Sequence, residues 1–79
     1  MEIEKIVKEI VADVCQTIAS QINGDTSIGD YLQWDSVGHL AILSAAEDAF
    51  NINFEAEDMM AIESVDDIIN AVKKNLKMD

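Results

Sequence analysis

Apolar residues recur at three- and four-residue steps along the first part of the chain, and this spacing constrains the fold more than any other feature. The series is Ile3, Ile6, Val7, Ile10, Val11, Val14, Ile18 and Ile22, and charged or polar residues occupy the opposite face. This is the period of an amphipathic helix, so we expect a first helix from Ile3 to Gln21, ended by Asn23 and Gly24. Such a helix is stable only if its apolar stripe packs against other elements.

Three later segments have helical patterns of their own. We expect a second helix over Ser36–Phe50, a short third helix over Glu55–Ile62, and a fourth helix that starts at Val65 behind a Ser64 cap. The chain has 79 residues and no proline. The sequence therefore predicts an all-α fold: a single domain over residues 1–79 that forms a small four-helix bundle, with three longer helices and one short third helix.

The expected core extends beyond the first helix. In the loop before helix two, Leu32 and with it Ile28 are expected to insert into the core, since long ordered loops are held by their own side chains. Cys15 lies beside the first apolar stripe and is expected to be a small, half-buried hydrophobe. The inward line of helix two is expected to be Leu40, Leu43, Ala46 or Glu47, and Phe50.

Charge is distributed very unevenly along the chain. The net charge is −11, and all five lysines lie near the two ends, whereas the stretch from Glu9 to Val72 contains thirteen Asp and Glu residues and no Lys or Arg. A surface of this sign repels nucleic acid and anionic membranes, so we expect neither as a partner. It attracts basic patches on other proteins and speeds their encounter at low salt.

Composition and motif spacing exclude several classes of protein. A single cysteine forms no intramolecular disulfide and supplies no cysteine-rich metal site. The loop from Asp25 resembles a calcium loop, but Asp30 replaces the glycine and Ser36 the glutamate of that motif, so no metal site is expected. The first turns are charged and no apolar run approaches ~20 residues, so we expect no signal peptide, no membrane span and a cytoplasmic location.

The stretch from Trp34 to Leu40 opens helix two and contains the candidate functional residue. Asp35 and Ser36 are residue types that accept hydrogen bonds from unpaired backbone N–H groups at a helix N-terminus. Ser36 is therefore expected at or just inside the helix start, on its exposed side. Because the positive end of the helix dipole favours an anion, a phosphate esterified to Ser36 would be well accommodated there.

These residues resemble the modification site of acyl carrier proteins. The resemblance extends over nearly the whole chain: a long first helix, a loop, Asp35-Ser36-Val37, then Glu47-x-x-Phe50 and Ser64-Val65-x-x-Ile68 in the family's order. It implies a four-helix carrier without enzymatic activity, in which Ser36 bears 4′-phosphopantetheine derived from coenzyme A. The thiol of that arm would carry acyl groups as thioesters to enzymes of fatty-acid, polyketide or related biosynthesis.

The resemblance also implies roles for the neighbours of Ser36. Asp35 would cap the helix and form part of what a phosphopantetheinyl transferase recognises, and Val37 stands where the motif usually has leucine. His39 lies on the same helical face as Ser36 and is a candidate contact of the arm's phosphate. Acyl-transferring or acyl-modifying enzymes with basic patches would dock on a monomer through Val37, Glu47, Asp48, Glu55 and Glu57.

Several alternatives stay open at this point. Trp34 either packs the loop against the core or contacts a partner protein. His39 either contacts the phosphate or is an exposed residue without a function. Gly38 indicates either a close approach of a partner or the arm, or simple tolerance at a helix start. For the whole chain, an aminoacyl or peptidyl carrier and an unmodified acidic helical adaptor that binds proteins through helix two are the other interpretations.

Overall fold

The computed structural model describes residues 3–77, and in that range the chain forms four α-helices: α1 (Ile3–Cys15), α2 (Ser36–Phe50), α3 (Ala56–Ala61) and α4 (Val65–Asn75). A 3₁₀ turn, Ala19–Gln21, follows α1. The order of the helices and the short third helix confirm the prediction of an all-α, four-helix fold. None of the helices in the described range is long and apolar enough to cross a membrane.

The first helix ends at Cys15, whereas the apolar spacing predicted a helix to Gln21. Gln16 adopts a left-handed backbone conformation (φ 59°), which stops the helix. The Thr17 N–H then donates to the Ala12 carbonyl oxygen (2.9 Å), a bond that satisfies one of the carbonyls left unpaired at a helix end. The spacing did not reveal this break, because Ile22, the last member of the apolar series, is still buried after the 3₁₀ turn.

The core lies between α1, α2 and α4, and α1 packs against both of the other helices. Cys15 is part of this core and is more deeply buried than predicted. The short helix α3 contributes no fully buried residue. The largest fully buried side chains are those of Trp34, Ile42, Leu43, Ile68, Val7, Val11, Val65 and Val72.

The second helix begins and ends where the sequence predicts, but its buried face is rotated from the expected line. Leu40, expected inside, is 60% exposed, so that prediction was wrong. The inward face contains Gly38, against which the loop backbone packs, and Ile42, which is completely buried. A residue two positions from each of them lies on a different face of the helix. The buried residues of α2 are Gly38, Ile42, Leu43, Ala46 and Phe50.

The loop before α2 is attached to the start of α4. The Val65 N–H donates to the Thr26 carbonyl oxygen (2.9 Å), beside a β-bridge between the loop and the α4 cap. The expected insertion of Leu32 and Ile28 was wrong, since their side chains are 94% and 37% exposed. Trp34 is the large loop side chain that enters the core, and it is completely buried.

The start and the end of α4 are both fastened by polar contacts. The Ser64 hydroxyl oxygen accepts from the Asp67 N–H (3.2 Å) as predicted, and the Asp67 carboxylate accepts from the Glu63 N–H (3.0 Å). Near the other end, Lys74 pairs with Asp58 across to α3 (3.0 Å). This hydrogen bond raises the pKa of the Lys74 ammonium group. A cavity of about 210 Å³ opens beside the pair, between α3 and α4.

Candidate functional site

The candidate site is built on the first turn of α2. Asp35 is the N-cap residue: its Oδ1 accepts from the Gly38 N–H (2.9 Å), and its carbonyl oxygen accepts from the His39 N–H (2.8 Å). Ser36 is the first helical residue and is exposed. The predicted cap and the predicted position of Ser36 at the helix start are therefore confirmed.

Two backbone donors lie at the same end of the helix. The N–H groups of Ser36 and Val37 have no hydrogen-bond acceptor among residues 3–77. They stand at the positive end of a 15-residue helix, where an anion is favoured. An exposed hydroxyl beside two unpaired amide donors fits a phosphate ester at Ser36.

Trp34 and His39 flank this turn and are joined to each other. The indole Nε1–H donates to His39 Nδ1 (2.9 Å), and the two rings lie nearly in parallel planes, with centroids 6.2 Å apart and planes inclined by 20°. Trp34 is 0% exposed, which confirms packing as its role, and His39 is half-buried. Sequence reasoning missed this pairing, for which the one available signal is that a buried indole N–H needs an acceptor nearby.

Gly38 occupies the inner side of the turn, against the loop that leads into α2. A Cβ at this position would overlap the carbonyl oxygen of Gln33 and lie 3.0 Å from its carbonyl carbon. The close approach considered for Gly38 therefore exists, but it is made by the chain's own backbone. Glycine lets the loop end directly against the first turn, which sets where Asp35 and Ser36 begin the helix.

Apolar side chains are exposed close to Ser36 in the sequence. Val37 is 76% exposed and Leu40 60%, while Leu32, in the loop before them, is 94% exposed. Met60 of α3 is 85% exposed. Isolated exposed apolar residues are common, but Val37 directly follows the serine and so lies within reach of any protein that binds there.

The acidic candidates for docking do not all have the same environment. Asp48, Glu55 and Glu57 are exposed. Glu47 is half-buried, and its Oε2 accepts from the Phe54 N–H (2.7 Å), which links the end of α2 to the segment before α3. Sequence reasoning missed this internal contact, because it depends on how the chain turns back after α2.

Comparisons with known proteins agree with this geometry. A family model described as a phosphopantetheine attachment site matches residues 5–72. The acyl carrier protein of Solidesulfovibrio magneticus is 31% identical over 74 residues, which cover 94% of this chain and 95% of that protein. The chain belongs to the acyl carrier protein family.

Other members of the acyl carrier protein family match over similar lengths. The protein from Porphyromonas gingivalis is 30% identical over 96% of this chain and 97% of its own length. A solution structure of the holo acyl carrier protein from Geobacter metallireducens superposes with a TM-score of 0.82, at 23% identity, over 98% of this chain and 88% of that one. This last likeness supports the same fold.

Membership of the acyl carrier protein family settles the class of molecule. The chain is a carrier that bears covalent 4′-phosphopantetheine, and it is not an enzyme. Proteins of this family work together with enzymes of acyl biosynthesis. The donor set at the start of α2 is consistent with a phosphodiester in that place.

Proposed function

We propose that Ser36 bears the 4′-phosphopantetheine arm, and that the chain, acting as a single carrier domain, presents acyl groups as thioesters to enzymes of fatty-acid, polyketide or related biosynthesis. One observation carries the proposal: Ser36 is exposed at the first position of α2, beside two unpaired backbone donors. A phosphoester formed there meets the positive end of the helix dipole.

The residues of the first turn would hold the attachment point in place. Asp35 fixes the turn by accepting from Gly38, which keeps Ser36 at its exposed edge. When bound, the arm supplies the terminal thiol that carries the acyl group. His39 Nδ1 accepts from Trp34, so the proton of the neutral imidazole lies on Nε2, and neither nitrogen is available as a base toward Ser36. Activation of the Ser36 hydroxyl therefore belongs to the phosphopantetheinyl transferase.

Partner enzymes would bind around the arm through charge and a small apolar contact. The exposed carboxylates are those of Asp48, Glu55 and Glu57, and they can pair with basic patches on a partner. The exposed side chain of Val37 adds an apolar contact. Glu47 contributes its charge to the same surface while its carboxylate holds the Phe54 N–H. The carrier would act as a monomer. Tethering on the arm raises the effective concentration of the acyl group at each enzyme that binds this monomer in turn.

Intact mass after incubation with coenzyme A and a broad-specificity phosphopantetheinyl transferase tests the proposal. The parent should gain one phosphopantetheine, Ser36→Ala should gain none, and Ser44→Ala, an exposed serine in the same helix, should gain one like the parent. Circular dichroism confirms that each variant is folded. A folded parent without mass gain, or a Ser36→Ala variant that still gains mass, would overturn the assignment.

A further inference from the structure

The hydrogen bond between Trp34 and His39 determines where the imidazole carries its proton. The indole Nε1–H is only a donor, so His39 Nδ1 must be the acceptor in this 2.9 Å contact. In the neutral imidazole one nitrogen accepts and the other donates. The proton of neutral His39 therefore lies on Nε2.

This Nε2–H group is a donor without an acceptor in the part of the chain that the structure describes. The hydrogen bonds of residues 3–77 give His39 one side-chain partner, the Trp34 indole. Every buried side-chain nitrogen and oxygen of that range has a partner. The pairing therefore satisfies the completely buried Trp34 and leaves the outer nitrogen of His39 available for an external acceptor.

The helical position of His39 places its side chain on the same face as Ser36. Residues three apart on a helix share a face, with their Cβ atoms roughly 5–6 Å apart. Helical side chains lean toward the N-terminus, and His39 reaches back as far as Trp34, which precedes the cap. Its ring therefore lies alongside the first turn of α2.

We propose that His39 Nε2–H donates to a phosphate oxygen of the arm on Ser36, and that Trp34 is the positioning residue that keeps the proton on this nitrogen. The inference rests on attachment at Ser36. It adds a side-chain donor to the backbone donors of Ser36 and Val37. Hydrogen bonds to a charged phosphate are stronger than neutral ones, so one well-oriented donor restricts the arm where it leaves the protein.

Two backbone hydrogen bonds hold Trp34 in place. Its N–H donates to the Tyr31 carbonyl oxygen (3.0 Å), and its carbonyl oxygen accepts from the Gly29 N–H (2.9 Å). The indole is fully buried, so it cannot turn to another acceptor without unpacking the loop. The ring of His39 is thereby held by a rigid partner, in the way that a hydrogen bond to the second nitrogen orients a metal-coordinating histidine.

Nuclear magnetic resonance of the full chain, before and after loading, tests the proposal. The imidazole nitrogens of ¹⁵N-labelled protein are recorded at alkaline pH, and their two chemical shifts show which nitrogen carries a proton. Intact mass first shows whether Ser36 is loaded. In the apo protein Nδ1 should be unprotonated and Nε2 protonated. In the holo protein the same tautomer should persist, with the Hε2 resonance moved downfield and its exchange with water slowed.

Matched variants separate a phosphate contact from a purely structural role. His39→Gln retains an acceptor and a donor, so the ³¹P shift of its loaded form should stay near that of the parent, whereas His39→Phe should lose this contribution. Trp34→Phe keeps a buried ring without the N–H, so His39 should populate both tautomers and show a smaller response to loading. If Trp34→Phe does not fold, the His39 pair and the parent spectra still decide.

The two proposals fail in different ways. A loaded parent whose His39 nitrogens and Hε2 are unchanged from the apo form would overturn the phosphate contact while leaving attachment at Ser36 intact. Equal ³¹P shifts in loaded His39→Gln, His39→Phe and parent would do the same. A folded parent that gains no mass would overturn attachment at Ser36 and this inference together.

Discussion

The carbonyl oxygen of Gln33 rests against the Cα of Gly38, in the space that a Cβ would fill. Helix α2 and the loop before it are therefore in backbone contact at the turn that presents Ser36. This contact places a steric condition on the site, which leads to the first prediction.

Gly38→Ala should destabilise the protein, although the same change in an exposed helix interior stabilises by about 1 kcal/mol. The Gln33 carbonyl is backbone and cannot move aside like a flexible side chain, so we expect a net loss of about 1–3 kcal/mol. Urea unfolding measures it. Ala41→Gly, at an exposed position of α2, should cost about 1 kcal/mol from propensity alone. A Gly38→Ala midpoint above that of the parent would contradict the steric explanation.

Asp35→Ala should cost about 1 kcal/mol, because the Gly38 N–H loses its side-chain acceptor. Asp35→Asn keeps an oxygen in the same place and should cost only a few tenths of that amount. Denaturant midpoints of the two variants measure the difference. Ser36→Ala is the control, because Ser36 is adjacent to the cap but does not serve as the cap. Equal losses for Asn and Ala would mean that charge, and not the hydrogen bond, stabilises the turn.

Glu47 and Asp48 are adjacent acids that should respond differently to truncation. Glu47→Ala leaves the Phe54 N–H without its partner and should cost about 1–2 kcal/mol, whereas Asp48→Ala, exposed, should stay within about 0.5 kcal/mol of the parent. Thermal or urea unfolding of both shows the contrast. Similar midpoints would mean that the Glu47 contact contributes nothing to the fold.

Cys15 should be unreactive in the folded protein. It is 3% exposed, and burial raises the pKa of its thiol above the ordinary value of 9.0, so little thiolate is present near neutral pH. Maleimide should label loaded native protein once, on the arm, and twice after unfolding, with Cys15→Ala labelled once in both states. Two labels on native protein would contradict the burial of this residue.

The same burial predicts a dependence of stability on pH. Because the folded-state pKa of Cys15 is raised, the contribution of the neutral thiol is complete below 9.0 and is lost as pH rises from there through the folded value. The melting temperature of the parent should therefore fall more between neutral and alkaline pH than that of Cys15→Ala. Parallel pH profiles would be the contrary result.

Salt should stabilise the fold. From Glu9 to Val72 the chain has thirteen acids and no Lys or Arg, so like charges repel one another across most of the surface. At about 0.1 M ionic strength the screening length falls to ~10 Å, which weakens this repulsion. The melting temperature should rise between low ionic strength and this condition, and further with magnesium ions. A midpoint that does not change would exclude repulsion as a significant cost.

The elements that sequence predicts best here are those determined by local chemistry. Asp35 and Ser64 cap their helices through hydrogen bonds to N–H groups three residues away, and such bonds require no knowledge of the rest of the fold. The end of α1 was missed because Gln16 is not a residue type that signals a left-handed conformation.

Predictions of which side chains point into the core failed where they depended on the positions of distant elements. Leu40 is periodic with the apolar residues of α2, and Leu32 is an apolar residue of the loop, yet the positions of α1 and α4 leave both exposed. Trp34, from the same loop, takes the available volume. The bond from Trp34 to His39 and the contact of Gln33 with Gly38 likewise follow from the closed fold.

The attachment of the loop to α4 has a consequence for the order of events during synthesis. The Val65 N–H donates to the Thr26 carbonyl oxygen and the Asp66 N–H to the Gly24 carbonyl oxygen (3.0 Å), so the loop that leads to Ser36 is completed by residues made much later. A chain still on the ribosome, with α4 inside the exit tunnel, lacks these contacts. Loading of the proposed site, Ser36, should therefore follow the emergence of α4 from the tunnel.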